Sequence, residues 1–394
     1  MKKILLASSA LAVAFATSAH ADTPKITVGG STDWQVGIMS DDADANQRSH
    51  AFYNDTEIDF NIDGKADNGL GYGAVIVIEA DVTNDAQGEG TNAARTFIYL
   101  DGSWGRVELG SNYAPSKTMK VDAAKIARAT GGIDGKWYRY ANNPGQTTYI
   151  SSPDLPLGYG VLNLSGATSA FYGDETQENV NKIVYYTPVW NGFQAGISYS
   201  PNDSDRGQGI ARADNRPGVA LPDGFFTLGR VENVWSGALS YDAKYDNGLG
   251  VALAGTFERG DSEITGAAGF EDLFAWNVGG KLSYEGFAVA GSYGDWDDSL
   301  GATGNRNDQN SYWTAGAAYE HGPYGISVTY LNSTVERGTG NGENEFDNLV
   351  FSADYQLAPG LTPYAELSLY DADAAVNAND NDGHVFLLGT QLNF

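Results

Sequence analysis

Residues 25–39 read KITVGGSTDWQVGIM, and the alternation in that stretch decides the fold. Ile26, Val28, Gly30, Thr32, Trp34, Val36 and Ile38 fall on one face, and Thr27, Ser31, Asp33 and Gln35 on the other. A period of two belongs to a strand whose faces meet different surroundings. The pattern returns in Trp235, Leu239 and Tyr241 against Ser236, Ser240 and Asp242. It returns again in Phe274, Trp276, Val278, Leu282 and Tyr284 against Asn277, Lys281 and Ser283, and in Phe351, Ala353, Tyr355 and Leu357 against Ser352, Asp354 and Gln356. A soluble sandwich also alternates, so period alone leaves two architectures open. Length separates them: the runs are about ten residues or more, the size of a tilted bilayer-spanning strand rather than the usual 5–6.

The connections alternate short and long. Tight turns fall at Asp101-Gly102-Ser103, Asp246-Asn247-Gly248, Glu285-Gly286 and His321-Gly322-Pro323, with glycine supplying the positive φ of hairpin turns. Long acidic loops such as Ser40–Phe52, Asn202–Arg230 and Asp371–Gly383 lie between them. Short turns at one rim and long polar loops at the other are the pattern of an outer-membrane barrel. One turn recurs, KADNGLG at 65–71 and KYDNGLG at 244–250, which reads as repeated turn chemistry and not as a duplicated domain.

Residues 1–21 read as a signal peptide. Lys2 and Lys3 precede the apolar run Ile4–Ala16, and Ala19-His20-Ala21 fits a small-residue cleavage site. The run is too short for a spanning helix, which needs roughly 20 residues. The expected mature chain, 22–394, has no cysteine, which excludes thiolate metal sites and cysteine nucleophiles. Without Lys2 and Lys3 it carries 21 Lys and Arg against 50 Asp and Glu, a formal charge of −29. That balance repels nucleic acid. Abundant glycine with 12% aromatic residues is a β-barrel composition and not that of a disordered acidic chain.

Strands are predicted at about 25–39, 53–63, 70–82, 95–101, 104–112, 181–187, 193–201, 232–244, 249–259, 272–284, 286–295, 309–320, 323–335, 346–357, 361–370 and 383–394. The fold class expected is all-β: a 16-stranded antiparallel transmembrane β-barrel, with both termini at one rim. Gln146–Ser151 and Gly160–Ser169 form either a further hairpin, giving 18 strands, or part of one long loop. The loop is preferred, because Asp154-Leu155-Pro156-Leu157 is not a tight turn.

Several segments carry a family resemblance. The stretch 95–110, RTFIYLDGSWGRVELG, resembles the hairpin of the fourth and fifth strands of Gram-negative general porins. Residues 181–199, NKIVYYTPVWNGFQAGISY, are similar to the next hairpin in porins of alphaproteobacterial type. The ending HVFLLGTQLNF resembles, through Phe394, the terminal strand recognised by the outer-membrane assembly machinery. The resemblance implies a homotrimer and passive diffusion of ions and small hydrophilic solutes. It also implies an inward-folded third loop, here 113–180, unusually long for the family. Within it, Lys120–Thr130 has the composition of a short helix. By its place at the head of the fourth strand, Arg95 matches the barrel-wall arginine of the family's constriction.

Alternation turns Glu57, Asp59 and Asn61 to the lumen, likewise Glu79 and Asp81, and likewise Arg106 and Glu108. Lys117, Lys120, Asp122, Lys125, Arg128 and Asp134 are loop candidates to project into the pore. A narrow section with opposite charges on facing walls orients polar solutes and favours one ion sign. The acidic lumen set and the charge of −29 predict cation preference. Outward Trp34, Tyr72, Trp235, Tyr241, Trp276, Tyr284, Tyr293, Trp313, Tyr330 and Tyr355 suit interfacial girdles. A sugar-stacking slide, and with it a substrate-specific sugar or peptide channel, is the alternative.

Enzymatic constellations are missing. The mature histidines, His50, His321 and His384, are scattered, and no G-x-S-x-G, H-E-x-x-H or phosphate-binding loop occurs. No cofactor is expected. The acidic groups at Asp41, Asp42 and Asp44, at Asp295, Asp297 and Asp298, and at Asp371, Asp373, Asp380 and Asp382 offer oxygen ligands for a structural Ca²⁺. They equally suit solvated loops, or divalent bridges to lipopolysaccharide.

Overall fold

A computed structural model describes residues 23–42, 48–80, 92–144, 147, 149–156, 161–162, 180–202, 231–262, 271–299, 310–336 and 342–394. The expected signal peptide, Asp44, Asp81 and most of the loop 202–230 lie outside them.

The strands are β1 (Lys25–Asp41), β2 (His50–Lys65), β3 (Gly71–Glu79), β4 (Asn92–Gly102), β5 (Gly105–Ser111), β6 (Tyr149–Ile150), β7 (Val161–Leu162), β8 (Asn181–Tyr186), β9 (Phe193–Asn202), β10 (Val231–Lys244), β11 (Gly250–Ser262), β12 (Leu273–Tyr284), β13 (Phe287–Asp297), β14 (Asn310–His321), β15 (Tyr324–Glu336), β16 (Glu343–Tyr355), β17 (Leu361–Asp373) and β18 (Asn381–Asn393). All but β6 and β7 form one closed antiparallel barrel of 16 strands in chain order. β6 and β7 pair only with each other, so this hairpin belongs to the third loop and the 18-strand alternative does not hold. Strand ends agree with the sequence reading to within three residues. β1 closes against β18 from Ser31↔Asn393 to Asp41↔Gly383. Phe394 and Gly30 then exchange backbone hydrogen bonds at 3.0 Å in both directions.

The repeated turn has one geometry in both copies. Gly69 N–H donates to Ala66 O (2.8 Å) and Gly248 N–H to Tyr245 O (2.9 Å), with glycine φ of 86° and 87°. The Asn68 and Asn247 side chains each accept from the N–H two residues on at 3.1 Å. Asparagine thus pre-forms the bend and glycine supplies the left-handed backbone.

Side chains of the apolar parity face outward, with Trp34 52% exposed and Ile326 56%. Aromatic rings cluster near the two ends of the strands. Toward the long loops lie Tyr199–Trp235, Trp276–Tyr293 and Trp313–Tyr330, and toward the short turns Phe193–Tyr241, Phe287–Tyr319 and Tyr324–Tyr355. Trp235 and Tyr241 are six residues apart and Trp276 and Tyr284 eight, about 20–26 Å along a strand. That spacing suits the apolar band of a bilayer. All ten aromatics expected outward share this parity.

The interior departs from simple alternation. On β15–β18 the inward parity is also apolar: Leu331, Phe346, Val350, Tyr364, Tyr370, Val385 and Leu387 are buried. Ile133, Trp137, Tyr140 and Tyr149 of the third loop pack on them, with Trp137 stacked between Phe346 (5.7 Å) and Tyr370 (6.0 Å). A second apolar cluster joins Ile150 and Leu155 to Leu273, Trp296, Tyr312 and Val335. The third loop therefore has a dry core of its own against one side of the barrel.

Candidate functional site

The loop enters the barrel from β5 and follows the inner wall. A single helical turn, α1 (Pro115–Thr118), packs on β9–β11. Ser116 N–H donates to Ser236 Oγ (3.0 Å), and Ser116 Oγ donates to Glu258 (2.6 Å). At β12 the Val121 carbonyl lies so close to Gly279 that a Cβ there would sit 1.7 Å from it, so only glycine fits. A 3-10 turn, Ala123–Ile126, begins where the Asp122 side chain accepts from Lys125 N–H (3.2 Å). It is shorter than the helix expected over 120–130, and Ala127 at its end is already extended.

Arg128 then reaches the short-turn rim. Its guanidinium donates twice to Asp354 at 2.8 Å, and once to Glu320 at 3.1 Å. This bidentate pairing holds the guanidinium above its ordinary pKa, the hydrogen bonds to Asp354 outweighing burial. At the next bend the buried Glu366 accepts from Thr130 Oγ1, from the N–H groups of Thr130 and Gly132 (both 3.3 Å), and from Ser352 Oγ (2.9 Å). Gly131 and Gly132 have φ of 122° and 64°, which turns those N–H groups onto one carboxylate. The chain climbs back through Lys136, paired with Asp33 (3.0 Å) and Asp55 (2.6 Å), and Asn142, which donates to Asp41 (2.7 Å). Tyr149 OH donates to Ala372 O near the long-loop rim (3.3 Å).

The loop candidates divide. Lys120 and Asp122 do not project into the pore: they are 5% and 0% exposed, in an ion-pair network with Asp154 and Lys117. Burial opposes the Lys120 charge, yet Asp122 and Asp154 outweigh it and raise the ammonium pKa. These charges fold the loop onto itself, because a buried ion needs a partner. Lys125 and Asp134 are exposed, while Arg128 is spent on the wall.

The wall candidates lie on the β2–β5 side. Glu57 and Glu79 are register partners, and Val77 pairs with Asp59 on one side and Arg95 on the other. Arg95 lies over the Tyr113 ring at 4.2 Å, which joins the constriction candidate to the root of the loop. Arg106 bonds Glu108 (2.6 Å) and Asp101 (3.3 Å) and covers Tyr99 at 3.9 Å. Glu108 is buried and also accepts from Asn112. Arg139, which the sequence reading missed, lies over Tyr53 at 4.1 Å. Lys182 is a second omission: it lies across from Gly110 and donates to Asn112 O. Its polar parity on β8 was the available signal. Arg139 had none, because no alternation runs through a loop.

Among the described residues no three acidic or histidine side chains converge as a metal-binding group.

Comparison with known proteins agrees with this geometry. A family profile described as Gram-negative porin matches residues 7–375. An uncharacterized protein of Rickettsia felis is 26% identical, with full coverage of both chains. An outer membrane porin protein of Bordetella pertussis is 28% identical over 74% of this chain and 69% of its own. Among solved structures, an anion-selective porin from Comamonas acidovorans shares the fold with a TM-score of 0.61 at 16% identity, covering 94% of this chain and all of its own. A mutant of the Rh. blastica porin does so at 0.55 and 15%, with the same coverage. The barrel thus belongs to the outer membrane and works as a general channel, not an enzyme, and the chain belongs to the Gram-negative porin family.

Proposed function

We propose that this porin forms a water-filled, cation-preferring pore for ions and small hydrophilic solutes, constricted by the loop 113–180. The carrying observation is the row of carboxylates on β2 and β3, where Glu57 and Glu79 are register partners and Asp59 follows on the same face. The helical turns of the loop pack on β9–β11 and β13–β18, so this acidic wall borders the side left for ions. Arg95, across Val77 from Asp59, and Arg139, over Tyr53 of β2, set cationic charge beside these carboxylates, so the field varies along this wall. Replacing Glu57, Asp59 and Glu79 together by their amides tests the reading: the cation preference should fall several-fold with conductance retained. An unchanged preference would overturn it.

In this reading the pore is a homotrimer of the alphaproteobacterial type. The outer face of β2–β4 supports trimerisation. It carries aliphatic Ile58, Ile76 and Ile98, and Thr32 on the adjoining β1 shares a hydrogen bond with Thr56 of β2 at 2.8 Å, with Asn54 donating to Thr56 at 3.3 Å. Lipid offers such polar groups nothing, whereas a protein neighbour packs against them. Residues 1–21 direct export, Phe394 serves as the assembly signal, and lipopolysaccharide surrounds the long-loop rim.

A substrate-specific channel is the second reading. Tyr53, Tyr99 and Tyr113 face the lumen beneath arginines, an aromatic set distinct from the outward girdles. Saturable current block by a sugar or peptide would favour it.

A further inference from the structure

The strand cations are unevenly placed. By parity Arg95, Arg106, Lys182, Lys244 and Lys281 all turn toward the lumen, but Arg259 turns outward. In β11, Ala252, Ala254, Thr256 and Glu258 are buried while Leu253, Phe257 and Arg259 are exposed. The register partners of Arg259 are Trp235 on β10 and Phe274 on β12, both exposed on the outer face. Two girdle pairs flank it, Tyr199–Trp235 at 4.9 Å and Trp276–Tyr293 at 5.6 Å.

Among the described residues the Arg259 guanidinium makes no hydrogen bond or ion pair. Asp261 shares its face but is engaged elsewhere. A register shift between Glu232 and Trp235, with Asn233 at φ 54°, brings Asn233 Nδ2 to Asp261 Oδ2 at 2.8 Å. Asn233 also accepts from Tyr199 OH at 3.2 Å. The nearby acid is therefore tied sideways, and the cation is left facing the membrane.

An outward charge is costly in the hydrocarbon and settles where its head reaches the interface. Arg259 lies three residues from the long-loop end of β11, about 10 Å along the strand and level with the aromatic belt of the outer leaflet. A guanidinium matches phosphate through paired N–H donors, and flanking rings pack on lipid chains. We propose that Arg259, framed by Trp235 and Phe274, binds the phosphate of an outer-leaflet lipid headgroup on the outside of β10–β12. On a chain of formal charge −27, this one cation selects where an anionic lipid docks. The inference uses the outer-membrane placement but not the conduction reading.

The test uses the full purified protein, delipidated in detergent. Native mass spectrometry follows its titration with phosphorylated lipid A and with the same lipid after enzymatic removal of its phosphates. The wild type should bind the phosphorylated lipid at least tenfold more tightly. Arg259→Ala should reduce that ratio below threefold, and Arg259→Lys should fall between. Excess inorganic phosphate should leave the lipid bound, because the acyl chains hold it; displacement would assign the site to free phosphate and overturn the proposal. A full preference retained by Arg259→Ala, or none in the wild type, would also overturn it. Single-channel conductance of the same preparations separates the two readings, since Arg259→Ala lies outside the lumen and should conduct as the wild type does.

Discussion

Glu366 shows what one residue does for this pore. Its carboxylate is 1% exposed and gathers Thr130, Gly132 and Ser352 at the deepest bend of the loop. Glu366→Ala strands those donors in a buried site, at about 1–3 kcal/mol for the lost partnership. The loop should then become protease-sensitive in folded barrels and channel current noisier, which limited proteolysis and single-channel recording would register. Arg95 lies at the mouth of the same loop, over Tyr113. Arg95→Ala should change ion selectivity or conductance while leaving oligomers intact on unheated gels. Unchanged single-channel behaviour would remove Arg95 from the constriction. Its position was legible because a strand arginine sits most easily in a wet interior. The burial of Lys120 and Asp122 was not, because Asp154, the second carboxylate on Lys120, lies more than thirty residues on.

At the scale of elements, the barrel strands were legible because each carries its own period of two, and their turns carry their own glycines. The third loop was legible as a loop but not in its packing. Its core forms when Trp137 and Tyr149 meet Phe346, and such contacts leave no periodicity in sequence. β18 held the signal: Val385 and Leu387 face inward while Phe386 and Leu388 face outward, so it is apolar on both sides. An inward apolar pair in a barrel strand means that something dry covers it. Trp137→Ala removes the ring stacked on Phe346 and Tyr370, at about 3–5 kcal/mol. The expected outcome is a loosened loop with higher mean conductance and a barrel that still migrates as folded on a semi-native gel.

Across the whole molecule, charge and shape act together. The loop packs on β15–β18 and ties itself to Asp354, Glu366, Asp33 and Asp55, so many wall carboxylates are spent on holding it. In the proposed reading Glu57, Asp59 and Glu79 lie beside the remaining passage, and the net charge of the chain has the same sign. Selectivity in such a pore follows the sign of the charge lining its narrowest part. The direct measurement is the reversal potential of the purified protein in a planar bilayer under a KCl gradient. A potential of the sign set by K⁺ flow, with preference reduced at high salt by screening, is the predicted result. A potential of the opposite sign, set by Cl⁻, would contradict the account.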